Sequence, residues 1–211
     1  MGKEKRDFKF SRRAAAYDEG IEGRLARRFY GLLQNEVALG KGTRILDAGC
    51  GTGALLKRLC RETDAEAHGV DVDANMIAVA KRQCPDFTFT QAPGEDIPYP
   101  DGYFDVLTAC LAYHHFPDRD GFASEAARVL KPGGALYIAD PKFPYVIRKG
   151  INGITRLFGV VGEFYTVHEI TDRFSPYGFE FTGAAYKGFA QVVKLTRKGL
   201  REQPMKKHDL Q

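Results

Sequence analysis

With 211 residues, 44% of them hydrophobic and 27% charged, the chain can bury the full core of one domain and has the composition of an ordinary globular protein. The formal charge of +4 is mild and comes partly from two end segments, MGKEKRDFKFSRR and RKGLREQPMKKHDLQ. It forms no Lys/Arg stripe with interleaved aromatics, which argues against nucleic-acid binding.

The N-terminus is too charged for a signal peptide, and no apolar run approaches the roughly 20 residues that span a bilayer. A cytoplasmic protein without stable membrane insertion is expected. Cys50, Cys60, Cys84 and Cys110 form no CxxC pair, so reduced buried thiols are expected, with no disulfide framework and no metal site.

The expected organisation is a leading helical cover (1–38), a core (43–197) and a basic tail (198–211), all in one domain. Residues 43–48 read as an apolar strand, followed by a helix over 53–62 with Leu55, Leu56, Leu59 and Cys60 on one face. AHGVDV (67–72) reads as a second strand. Asp73 then caps a helix that carries Met76, Ile77 and Ala80 inward. Further strands are expected at 87–91 and 103–112, and a helix around 118–130 places Phe122, Ala126, Val129 and Leu130 on one stripe. KPGG (131–134) reads as a turn into the strand ALYIAD (135–140).

Strands that alternate with helices argue for a mostly parallel sheet covered on both faces. At the end, FEFTGAAY and FAQVVKLT are too close together for a parallel crossover and suit an antiparallel pair. Residues 142–165 lie between the fifth and sixth strands and mix aliphatics and aromatics with Arg148, Lys149 and Arg156. They read either as a lid over an apolar acceptor pocket or as an amphipathic helix packed on the sheet, and a membrane-surface role, which liposome co-sedimentation would test, is a further option.

The chemistry centres on Gly49-Cys50-Gly51-Thr52-Gly53-Ala54, between a strand end and a helix start. Glycines permit positive φ and a close approach of ligand to backbone. Asp71, 20 residues after Gly51, ends the second strand, where a carboxylate can accept ribose hydroxyls. Alone, the loop leaves a dinucleotide open, since Ala54 completes a G-x-G-x-x-G/A pattern. An NAD(P)-dependent oxidoreductase would need a hydride-transfer site, and Tyr145-x-x-x-Lys149 has the spacing of the short-chain dehydrogenase pair. The TGxxxGxG loop of those enzymes is missing.

FSRRAAAYD (10–18), ILDAGCGTG (45–53), GVDVDANMI (69–77), GEDIPYPDGYFD (94–105), LAYHHF (111–116) and ARVLKPGGALYIAD (127–140) follow one another along the chain. In that order and spacing they resemble S-adenosylmethionine-dependent methyltransferases with a Rossmann-like fold, in particular the small-molecule group that includes the quinone-biosynthesis C-methyltransferases. The resemblance implies a three-layer α/β/α sandwich. Its seven-stranded sheet has the order 3-2-1-4-5-7-6, and the last inserted strand is antiparallel.

It further implies that Asp47, Gly49, Cys50 and Gly51 surround the methionine end of S-adenosylmethionine, with Asp71 on the ribose and Val72, Met76 and Leu111 nearby. Relatives often carry Asp-Ala-Glu on the adenine side, whereas this chain has Pro93-Gly94-Glu95. The Gly94 N–H is expected to meet the ring, and Glu95 or Asp96 the amino group.

A sulfonium methyl is already activated, so the enzyme mainly aligns the acceptor and, where needed, removes a proton. Candidate bases are Tyr113, His114 and His115; the adjacent histidines on an extended strand would point to opposite faces, so at most one would face the cleft. Tyr17 matches the family's N-terminal cover and stands either near the acceptor or as an anchor of the first helix. Asp140 ends the fifth strand on the same edge. The expected activity is methyl transfer to a small organic acceptor of apolar or aromatic character, with the accepting atom and the oligomeric state open. The alternative from another class is a binding protein for S-adenosylmethionine or S-adenosylhomocysteine without catalysis.

Overall fold

A computed structural model describes residues 20–157 and 162–199. In chain order the elements are α1 (Ile21–Glu36), β1 (Arg44–Ala48), α2 (Ala54–Leu59), β2 (Glu66–Asp71), α3 (Ala74–Gln83), β3 (Thr88–Gln91), β4 (Phe104–Cys110), α4 (Arg119–Val129), β5 (Leu130–Pro141), α5 (Tyr145–Leu157), α6 (Val167–Phe174), β6 (Phe179–Lys187) and β7 (Ala190–Arg197). The seven strands form one sheet in the order β3-β2-β1-β4-β5-β7-β6. Neighbours from β3 to β5 pair in parallel, while β7 runs antiparallel to both β5 and β6.

Strand periodicity builds the two faces. Leu46, Leu107, Ile138 and Val193 turn into a cluster with Phe122, Ala126 and Val129 of α4 and with Ile170 and Phe174 of α6. Ile45, Val106, Ala139 and Val192 turn the other way, toward Phe29 and Leu33 of α1, Leu55 and Leu56 of α2, and Ile77 and Ala80 of α3. All of these side chains are buried, which accounts for a sheet whose central strands are apolar on both sides.

The expected caps form. The Asp73 carboxylate accepts the Asn75 N–H at 2.8 Å at the start of α3. α6 stands where no helix was expected, although Thr166-Val167-His168-Glu169 is a capping-box sequence. Glu169 N–H donates to Thr166 Oγ1 while the Glu169 side chain accepts the Thr166 N–H. The KPGG segment does not end before a separate strand. It lies inside β5, whose register steps from Phe104 opposite Leu130 to Val106 opposite Ala135. Residues 131–134 form the bulge that absorbs the step, with Gly133 at φ +81°.

Because β1, β2, β4 and β5 are parallel, Asp47, Asp71, Leu111 and Asp140 all come to one edge of the sheet. That edge includes the point where the chain order reverses about β1, the place where open α/β sheets bind ligands.

Candidate active site

The turn after β1 has three left-handed residues, Gly49 (φ +75°), Gly51 (φ +51°) and Gly53 (φ +78°). Two of them are also required by packing. A Cβ on Gly49 would lie 2.4 Å from the Ala112 Cβ, and one on Gly53 would lie 2.8 Å from Phe89 Cζ. At Gly51 a Cβ would meet nothing within 4 Å, so this residue faces open space.

Four of the loop's six amides donate inside the protein. Gly49 and Cys50 N–H both donate to the Val70 carbonyl, at 2.8 and 3.0 Å, and Gly53 N–H donates to the Cys50 carbonyl. Gly51 N–H donates to Asp71 Oδ2 at 2.8 Å, and Asp73 N–H to Asp71 Oδ1 at 2.9 Å. The following helix, α2, has only 6 residues. A cradle for phosphates needs free N–H groups, and these four are occupied.

Carboxylates dominate instead. Asp47 is 2% exposed, and its Oδ1 accepts the Thr108 hydroxyl at 2.7 Å. Burial pushes its carboxyl from the ordinary 3.8 up to about 7, Thr108 pulls it down, and the charge of Asp71 adds to the rise. Asp71 is also raised by burial, against the two backbone donors that favour its charged form. Burial, Asp71 and Asp47 together keep Cys50 a thiol, so it offers no nucleophile. A buried and a half-buried carboxyl beside a turn open at Gly51 suit a cationic ligand, which would lower the cost of ionising them.

Phe116 joins the turns. It lies 3.7 Å from the Cβ position of Gly49 and 3.1 Å from that of Gly94, so the glycine loop, the 93–96 turn and the segment after β4 meet on one ring. Gly94 is buried, Glu95 half-buried and Asp96 exposed. Met76 is buried beside Val79, while Val72 is 58% exposed. Leu111 has φ +54°, in the left-handed region despite its side chain. Such strain in a non-glycine residue gathers at functional sites.

The histidines do not sit on an extended strand. β4 ends at Cys110, and Tyr113–His115 form a 3₁₀ turn in which His115 N–H donates to the Ala112 carbonyl at 2.8 Å. Successive side chains on such a turn are about 120° apart rather than opposed, and the two imidazoles stand 3.9 Å apart. His114 is buried. Its Nδ1 lies 2.7 Å from Asp140 Oδ1, and its backbone N–H donates to Asp140 Oδ2 at 3.1 Å. Phe164 stacks on its ring at 4.9 Å. His115 is exposed, and Tyr17 lies outside the described residues.

Tyr145 and Lys149 are both exposed on α5, with the ammonium 4.8 Å above the phenol ring. They form a surface pair, away from the glycine turn.

Residues 46–138 match a methyltransferase domain family. The chain is 37% identical over 123 residues to 27-O-demethylrifamycin SV methyltransferase from Amycolatopsis mediterranei (strain S699), a match over 56% of this chain and 44% of that protein. It is 36% identical over 106 residues to demethylmenaquinone methyltransferase from Tropheryma whipplei (strain Twist), over 49% of this chain and 44% of that protein. The chain thus spans less than half the length of these curated relatives. In fold, the chain is similar to a chain in the Haloferax volcanii complex that contains the Trm112 methyltransferase activator. That similarity has a TM-score of 0.79 at 18% identity and covers 90% of this chain and 98% of that one.

Sequence reasoning found Asp47, Asp71, Asp140 and the glycines. It missed Thr108, Phe116 and Phe164. Thr108 carried a signal, as a lone hydroxyl inside the apolar strand FDVLTAC. Phe116 and Phe164 matter through tertiary contact alone.

Proposed function

We propose that this chain is an S-adenosylmethionine-dependent methyltransferase acting on a small organic acceptor. The observation that carries it is the glycine turn with four of its amides spent, open at Gly51 and flanked by Asp47 and Asp71. That donor set suits a cation with ribose hydroxyls better than a pyrophosphate. Each Asp71 oxygen already accepts one N–H and keeps a second lone pair for a hydroxyl. Asp47 takes the ammonium of the methionine end, near Gly49, Cys50 and Gly51. Gly94, Glu95 and Asp96 serve the adenine side, with Val72, Met76 and Leu111 along the way. When bound, S-adenosylmethionine supplies a methyl activated by its sulfonium.

The chain's own residues then align the acceptor and handle its proton. Asp140 orients the His114 imidazole through Nδ1 and leaves Nε2 as the candidate base. The rings of His115, Phe164 and, through Phe164, Phe143 surround it and favour an apolar or aromatic acceptor. Phe164 must move aside for an acceptor to reach the His114 ring, which gives the 142–165 segment the part of a lid.

Transfer of label from methyl-tritiated S-adenosylmethionine into a cell extract, with the product identified by mass spectrometry, tests the proposal. Label in a small-molecule product that depends on the wild-type protein and is lost with Asp71→Ala is expected. No labelled product despite tight binding of S-adenosylhomocysteine would favour a binding protein without catalysis.

A further inference from the structure

Helix α5 is turned inside out with respect to ordinary burial. Arg148 is 8% exposed and donates to both oxygens of Glu169, at 3.0 and 2.8 Å. The apolar residues beside it face outward: Tyr145 is 60% exposed, Val146 80% and Ile147 53%. Tyr186, near the end of β6, is 52% exposed and joins them through Lys142, whose ammonium lies 4.4 Å above its ring. Lys149 covers Tyr145 in the same way. Single exposed apolar residues are ordinary, but a run of three large ones beside an arginine that is itself buried marks an interaction surface.

The charge around the face selects its partner. From position 141 to 162 the sequence contains no Asp or Glu and carries Lys142, Arg148, Lys149 and Arg156. With Arg148 engaged by Glu169, the exposed Lys142 and Lys149 flank the aromatics, and Lys187 follows Tyr186. Tyrosines with lysine stems laid over their rings suit the headgroup region of a bilayer, where the rings enter the boundary and the ammoniums meet phosphates. Among the described residues no helix is long and apolar enough to cross a membrane, so the contact would be peripheral.

We infer that the exposed first turn of α5, Tyr145, Val146 and Ile147, together with Tyr186 and the ammoniums of Lys142 and Lys149, docks end-on on an anionic lipid surface. The docked helix is tied to the candidate site. Asn152 accepts the Phe164 N–H at 3.0 Å and donates to the Phe164 carbonyl at 3.1 Å, while Phe164 covers His114. Docking stands apart from methyl transfer, since it depends on none of the residues of the glycine turn.

Co-sedimentation of the full chain with vesicles of phosphatidylglycerol and phosphatidylcholine, against phosphatidylcholine alone, tests it. Binding to the anionic vesicles that weakens with salt is expected. Lys142→Ala with Lys149→Ala should lower the partition coefficient about thirtyfold, and Val146→Glu with Ile147→Glu at least about tenfold. All four positions are exposed, so both variants should keep the melting temperature and the affinity for S-adenosylhomocysteine of the wild type. Absence of binding to anionic vesicles, or equal binding by the Glu variant, would overturn the inference. So would a dimer in solution that Val146→Glu dissociates without any vesicle binding, since the face would then serve a second copy. Loss of S-adenosylhomocysteine binding with vesicle binding intact would count against the proposed function alone.

Discussion

Replacing Asp47 by Asn should stabilise the free protein at alkaline pH and weaken its cofactor site. The carboxyl is buried, with its pKa moved from 3.8 to about 7. The folded state therefore holds that proton more tightly than the unfolded chain. Stability falls as pH rises from about 4 to 7, and the full penalty is present above 7. About 3 units at 1.36 kcal/mol each sets an upper limit of about 4 kcal/mol. Asn keeps an oxygen to accept the Thr108 hydroxyl but buries an amide of its own, so the net gain at pH 8 should be on the order of 1–2 kcal/mol.

The pH dependence is the sharper quantity. Between pH 5 and pH 8 the difference between variant and wild type should change by about 3 kcal/mol in the variant's favour, from two units of native titration. Urea unfolding of both proteins at the two pH values measures this. A difference that stays constant with pH would refute the buried ionisable carboxyl. If Asp47 receives an ammonium, wild-type affinity for S-adenosylhomocysteine should also fall below pH 7, approaching tenfold per unit, and the Asn variant should lack that slope.

Four further outcomes are expected. Gly49→Ala would place a methyl 2.4 Å from the Ala112 Cβ at positive φ and should cost about 3 kcal/mol in urea unfolding. Gly51→Ala meets open space, so it should cost only about 1 kcal/mol yet reduce S-adenosylhomocysteine affinity at least about tenfold. Asp140→Asn lets an amide N–H donate to His114 Nδ1 and moves the ring proton to Nε2. Methyl transfer should then fall about 10²-fold or more with cofactor affinity and acceptor KM little changed; an unaltered rate would remove His114 as the base. Arg148→Ala removes the part-buried ion pair with Glu169 and should speed hydrogen exchange in α5 while that of β4 and β5 stays unchanged.

Fold and site differ in how far the sequence revealed them. The strand order was legible because family motifs and the closeness of the last two strands agree, and burial on both faces of the central strands follows from near-continuous apolar runs such as FDVLTAC. The glycine turn and Asp71 were legible from spacing. Their hydrogen bonding was not, because the acceptor of the Gly49 and Cys50 amides is a carbonyl on β2, 20 residues away. HHF continues an apolar strand and gives no local sign of a 3₁₀ turn. The outward face of α5 was hidden for a related reason. Its amphipathic pattern shows a polar and an apolar side, but only tertiary contact decides which side faces the protein, and Glu169 holds Arg148 inward.

Titration calorimetry of the full chain with S-adenosylhomocysteine, with NAD and the Asp71→Ala variant as controls, tests the proposed function most directly. Micromolar binding of S-adenosylhomocysteine, no binding of NAD, and a loss of at least about tenfold in the variant are expected, since Asp71 both accepts the ribose and holds the Gly51 amide. No binding of S-adenosylhomocysteine by the wild type, or tight binding of NAD in its place, would contradict it.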